Sequence, residues 1–295
     1  MLEEILTELF SIPIGLKPTV KVGDAQLYGS ASLDKNYKKS IAKSETASFA
    51  SDQISSLVDR GKINLCYLNK GIVRVLMWKV LVVHPFKSVL AFFSTKTNKV
   101  YIVIDNNISY LGHISNTLVG SLTIHECCHM ASYSDSTSFF NLFSQELTNF
   151  YSNYFKSVFK LDIISQKDVR DFAFDLIKSE TQKDRRTKVL DIVDKFLDSL
   201  KKDFKGKSKE FDKLRDRYII VCKAILGTWD AQAYRDIMNS REIIIPFYRT
   251  YKSTFGLRTR HILHCQEVVT ASEVVCVYSQ IAPSDKILSM FSLIK

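Results

Sequence analysis

His125-Glu126-Cys127-Cys128-His129 constrains the fold of this chain more than any other stretch. Two histidines four residues apart meet on one face only in a helix, about one turn apart. In that setting one nitrogen from each can reach a single Zn²⁺ at ~2.0–2.1 Å. The glutamate after the first histidine then sits beside the metal, placed to take a proton from a bound water. The neighbouring residues agree with a helix. Leu118, Leu122, His125 and His129 share one face, so the histidines extend an apolar stripe expected to pack on a sheet. Asn116 or Ser115 is the expected cap, and His113 is assigned to the loop before it.

The rest of the chain divides by pattern. Only 10 Gly and 5 Pro in 295 residues favour long helices over a turn-rich β architecture. Residues 1–71 read as a short amphipathic N-terminal helix and a polar arm from Lys17 to Lys43, with a second helix from Ala47 to Arg60. Arg74–His84 and Ser88–Ser94 are apolar, β-prone runs. Thr95-Lys96-Thr97-Asn98 then reads as a hairpin turn into Val100–Ile104. Residues 72–135 thus hold a small sheet and the helix of the histidines, and residues 136–295 are largely helical. The helices are expected at Thr137–Phe159, Gln166–Ser179, Thr187–Phe204, Ser208–Leu226, Trp229–Met238 and about Gln266 to Ile281. The fold class is α+β: a small mixed or antiparallel sheet packed on the histidine-bearing helix, followed by a helical half that supplies a third metal ligand.

Charge and cysteine usage narrow the class further. The net charge of +10 raises the question of a polyanion partner, yet Asp191, Asp194, Asp198, Asp212 and Asp216 interleave with the lysines and arginines. Such mixing marks a solvated face, with at most a weak contact to polyanions or acidic partners. The 6 cysteines contain no C-x-x-C pair and read as free thiols, with Cys127 and Cys128 as core-facing packing residues. The aromatic-heavy stripe Phe139, Phe143, Leu147, Phe150, Tyr154 and Phe155 reads as core. No stretch reaches the ~18 apolar residues of a membrane span, and the acidic start Met1-Leu2-Glu3-Glu4 is unlike a secretory signal. The expected location is the cytoplasm, or a particle if the chain is viral.

A sheet, a hairpin strand and a helix bearing H-E-x-x-H together resemble the zincin metallopeptidases, over roughly residues 72–135. The resemblance implies a zinc ion on His125 and His129, Glu126 as general base, and hydrolysis of a protein or peptide substrate. It also implies an edge strand that receives the substrate, which by position would be Val100–Ile104. Such a site needs a third protein ligand. A gluzincin-like reading selects Glu273, since Ser272-Glu273-Val274-Val275-Cys276-Val277-Tyr278 resembles the ligand helix of that group, with Cys276 in place of the usual alanine. A metzincin-like extension would use Asp135, but Ser132 occupies the position of the turning glycine. Asp230, Glu146 and Glu267 remain alternatives. Tyr278 is the expected donor to the reaction's oxyanion, with Tyr234, His261 and His264 as others in reach of the ligand candidates. Two other readings stay open: a zincin-fold structural or interaction protein without catalysis, as in a virus or phage particle, and a basic nucleic-acid-associated protein.

Overall fold

The computed structural model describes residues 20–22, 25–27, 31–67, 89–95, 97–104, 112–202, 204, 208–227, 231–256 and 268–295. The chain divides into two compact units, Met1–Ala131 with Ser279–Lys295, and Ser132–Tyr278.

In the first unit, β1 (Val20–Val22) and β2 (Ala25–Leu27) pair antiparallel. Helix α1 (Ala31–Ala42) follows, then a 3₁₀ turn (Ser48–Ala50) and α2 (Ser51–Asp59). The expected polar arm therefore ends in a helix, because Tyr37 and Ile41 lie one turn apart and both are buried. Helix α2 stops at Gly61, whose φ of 66° suits a residue without Cβ. The Gly61 N–H donates to Val58 O at 2.9 Å and Lys62 N–H to Leu57 O at 2.8 Å, a Schellman end that turns the chain directly into β3.

The second sheet corrects one expectation. Strands β3 (Ile63–Tyr67), β4 (Val89–Ser94) and β5 (Lys99–Ile104) lie in the order β3-β5-β4. The hairpin is as expected, with Phe92 opposite Tyr101 and Asn98 carrying the turn at φ 51°. Val100–Ile104, however, is the central strand. β3 pairs with its other side in parallel, from Ile63 opposite Val100 to Tyr67 opposite Ile104. Three consecutive buried residues, Val100, Tyr101 and Ile102, fit a strand covered on both faces. The expected strand Arg74–His84 and the expected helix over residues 1–11 lie outside the described residues.

Helix α3 (Gly112–Ser134) carries the histidines and starts ahead of the expected caps Ser115 and Asn116, so His113 belongs to its first turn. Polar contacts fix it within its unit. The Tyr37 hydroxyl of α1 bonds Thr123 Oγ1 at 2.8 Å, and Thr123 in turn donates to Val119 O at 2.8 Å. Thr46 bonds Ser121 Oγ at 3.1 Å. Gly120 lets the Ser44–Ala47 turn come close: a Cβ there would lie 2.7 Å from Ser44 Cβ and 2.9 Å from Ala47 Cβ. Helix α11 (Ser284–Phe291) completes the unit against the 3₁₀ turn.

The second unit is helical. It comprises α4 (Ser136–Phe159), α5 (Gln166–Glu180), α6 (Arg185–Lys201), α7 (Ser208–Leu226), α8 (Ala231–Asn239), α9 (Arg241–Phe255) and α10 (Ala271–Tyr278). Helix α4 packs on α5, α7, α9 and α10. Its aromatic stripe is core, as expected: Phe150 stacks on Phe255 at 5.7 Å between centroids, and Phe155 meets Phe196 at 4.9 Å. Helix α9 and the division of the last segment into α10 and α11 were not expected. The basic helices carry their own acids, as in Lys167–Asp171 at 3.0 Å, Lys201–Asp212 at 2.8 Å and Arg215 with Asp194 and Asp198. Exposed pairs of this kind keep charge solvated and add little stability. Among the described residues, no helix is long and apolar enough to cross a membrane.

Candidate metal centre

Helix α3 has two different long faces. Val119, Thr123, Ile124, Cys127 and Met130 are fully or almost fully buried. The stripe of Leu118, Leu122, His125 and His129 is only half-buried. The histidines therefore do not sit on the fully buried face that the apolar stripe implied. They occupy the face that keeps some access, which is what an imidazole meant for an external ligand requires.

The two rings lie with centroids 5.1 Å apart and planes at 69°. That separation is the direct result of one helical turn between them. It is short enough for one nitrogen of each to turn to the same ion. Glu126, the residue between the two on the helix spiral, is only 7 % exposed. A carboxylate taken that far from water needs charge or hydrogen-bond compensation.

Cys127 and Cys128 pack as expected, both buried. Burial pushes the Cys127 thiol up, and Glu126 and then Cys128 push it further in the same direction. A thiol held protonated in this way packs as a small apolar group and is a poor ligand.

The third-ligand candidates fall in different settings. Asp135 caps α4, its carboxylate accepting the Ser138 N–H at 3.0 Å. Helix α3 runs on through Ser132 to Ser134, so no turn forms where the metzincin-like scheme needs one. Glu273 stands in the first turn of α10 and is half-buried. The helix dipole already favours a carboxylate there, so burial alone does not demand a cation for it. Glu146 of α4 accepts the Tyr278 hydroxyl at 3.4 Å. Asp230, Glu267, His261 and His264 lie outside the described residues, as does the side chain of Tyr234.

Tyr278 rests on Phe255 with ring centroids 4.8 Å apart and meets Phe143 edge-on. Burial raises its phenol above the ordinary tyrosine value, and the Glu146 charge and hydrogen bond raise it further. The hydroxyl keeps its proton and remains a donor.

Sequence reasoning passed over one ligand-type residue. Cys276 is fully buried. His125, His129 and Cys276 form a group that could hold a metal ion, two through imidazole nitrogen and one through sulfur. This donor set is chemically sound for a borderline-soft divalent cation. The signal was present in the sequence, since Cys276 was the departure from the usual alanine in the expected ligand helix. It shares a side of α10 with Glu273, three residues earlier.

No family model matches this chain, and no curated protein or solved structure matches it. Its chemistry is read from its own residues.

Proposed function

We propose that this protein is a zinc-dependent metallopeptidase of the zincin type. The observation that carries the reading is the half-buried pair His125 and His129, rings 5.1 Å apart, with Glu126 beside them on the same helix. In this reading α3 serves as the active-site helix on the β3-β5-β4 sheet, and α10 supplies the third ligand. Cys276 is the donor best supported there, with Glu273 as the carboxylate alternative one turn away.

A zinc ion held by these residues would supply Lewis acidity toward a water and a peptide carbonyl. Glu126 takes the proton of the attacking water and returns it to the leaving amine. Its low exposure fits this task, because a carboxylate drawn out of water binds a proton more readily. Tyr278 would donate to the oxyanion of the tetrahedral intermediate, a role that requires it to exchange its present bond to Glu146 for one to substrate. With β5 buried in mid-sheet, an extended substrate would have to pair with β4 or β3, not with Val100–Ile104.

Metal analysis of the purified protein and its Glu126→Gln variant, beside a peptide-cleavage assay on an unstructured protein substrate, tests the reading. Zinc in both with cleavage only by the wild type supports it. Zinc in both without cleavage by either supports a non-catalytic metal protein, and no zinc in either sinks the proposal.

A further inference from the structure

Helix α10, the proposed source of the third ligand, has only eight residues, and six of them are buried: Ala271, Ser272 and Val274 through Val277. A helix this short does not hold its own position, so its neighbours must set it. They do so with polar groups from four other helices. Tyr218 of α7 donates to Val268 O at 2.9 Å, just before the helix begins. Tyr251 of α9 donates to Val274 O at 3.0 Å in its middle. At its end the Tyr278 hydroxyl reaches Glu146 of α4.

The start of the helix is held differently. Glu180, the last residue of α5, accepts the Ala271 N–H on one carboxylate oxygen at 2.6 Å and the Ser272 N–H on the other at 3.0 Å. Among these clamps, this is the one in which an anion grips two backbone donors at once. Charge-assisted bonds are shorter and stronger than neutral ones, and the helix dipole adds to the attraction. Two contacts from one rigid carboxylate fix both the rotation of α10 about its axis and its position along it. Nothing in the sequence pairs Glu180 with Ala271, since the two are far apart along the chain.

We propose that Glu180 is a positioning residue for the metal donors of α10: by clamping the helix start, it sets where Cys276 and Glu273 are presented. This rests on the zinc reading above. Metal coordination tolerates ligand displacements of only about 0.2 Å. A loosened α10 should therefore cost metal affinity out of proportion to stability.

The test is a zinc titration of the full-length protein against a competing chromophoric chelator, for the wild type, Glu180→Gln and Glu180→Asp. Thermal unfolding of the metal-free proteins runs beside it. Glu180→Gln should weaken zinc binding about 10–100-fold, the usual cost of losing an outer supporting group, at temperatures where the variant stays fully folded. Glu180→Asp keeps the charge and should recover part of the loss. Ala271→Pro provides a second route should Glu180→Gln fail to fold. Proline is tolerated at the first helical position and removes one of the two clamped N–H groups, so zinc should again bind more weakly. Unchanged zinc affinity in a folded Glu180→Gln or Ala271→Pro protein would make Glu180 a helix cap only and overturn the proposal, while leaving the zinc reading intact. A wild type that takes up no zinc overturns both.

Discussion

The imidazole rings of His125 and His129 stand 5.1 Å apart on the half-buried side of α3, with their planes 69° from parallel. Neither packs in the core, so their removal should separate metal binding from folding. His129→Ala should weaken zinc binding by well over the ~100-fold expected for an outer-shell change. The metal-free protein should unfold within about 0.5 kcal/mol of wild type, as for other substitutions away from the core. Isothermal titration with zinc and urea unfolding of the metal-free protein check the two halves.

Glu126 is treated differently by the fold, at 7 % exposure on the flank of the histidine face. Glu126→Gln keeps its shape and removes its basicity. Zinc content should be unchanged, while kcat falls about 10²–10⁴-fold, the range for loss of a general base. Single-turnover peptide cleavage measures it.

Gly120 holds the metal-bearing helix against the Ser44–Ala47 turn. An alanine there would bring its Cβ to 2.7 Å from Ser44 Cβ and 2.9 Å from Ala47 Cβ. Both neighbours are backbone-tethered and cannot swing aside, so Gly120→Ala should cost about 1–3 kcal/mol by overpacking. Adding Ser44→Gly removes the nearer clash and should restore part of that loss. Urea unfolding of the single and double variants reads the coupling.

Alkaline pH should unfold the protein cooperatively. Burial raises the phenols of Tyr37, Tyr151, Tyr154 and Tyr218 well above their ordinary value of 10.0. The folded state thus keeps protons that the unfolded chain loses. Stability is fully present below pH 10 and falls as pH rises above it, by up to ~1.4 kcal/mol per pH unit for each such phenol. Absorbance at the phenolate band should show these tyrosines ionising together with unfolding, not ahead of it.

Much of this fold was legible locally. The aromatic period of α4 gave its core face, and Thr95–Asn98 gave the hairpin. The central position of β5 was not, because it depends on β3, which pairs from across a long connection. Helix α9 was hidden by Pro246, which reads as a breaker but sits inside the helix after a well-formed first turn. At the site, the histidine spacing was enough to find the pair. The balance between Glu273 and Cys276 was not visible, because it depends on burial: the carboxylate is half-exposed at a helix start and the thiol is not exposed at all. The Glu180 clamp on Ala271 joins two segments that no local pattern relates.

The most direct test of the central claim is the metal stoichiometry of the purified chain, by mass spectrometry of bound metals, for wild type, His125→Ala and Cys276→Ala. The account predicts about one zinc per chain in wild type, none retained by His125→Ala, and a marked loss in Cys276→Ala. A wild type free of metal, or a His125→Ala protein that keeps its zinc, would contradict it.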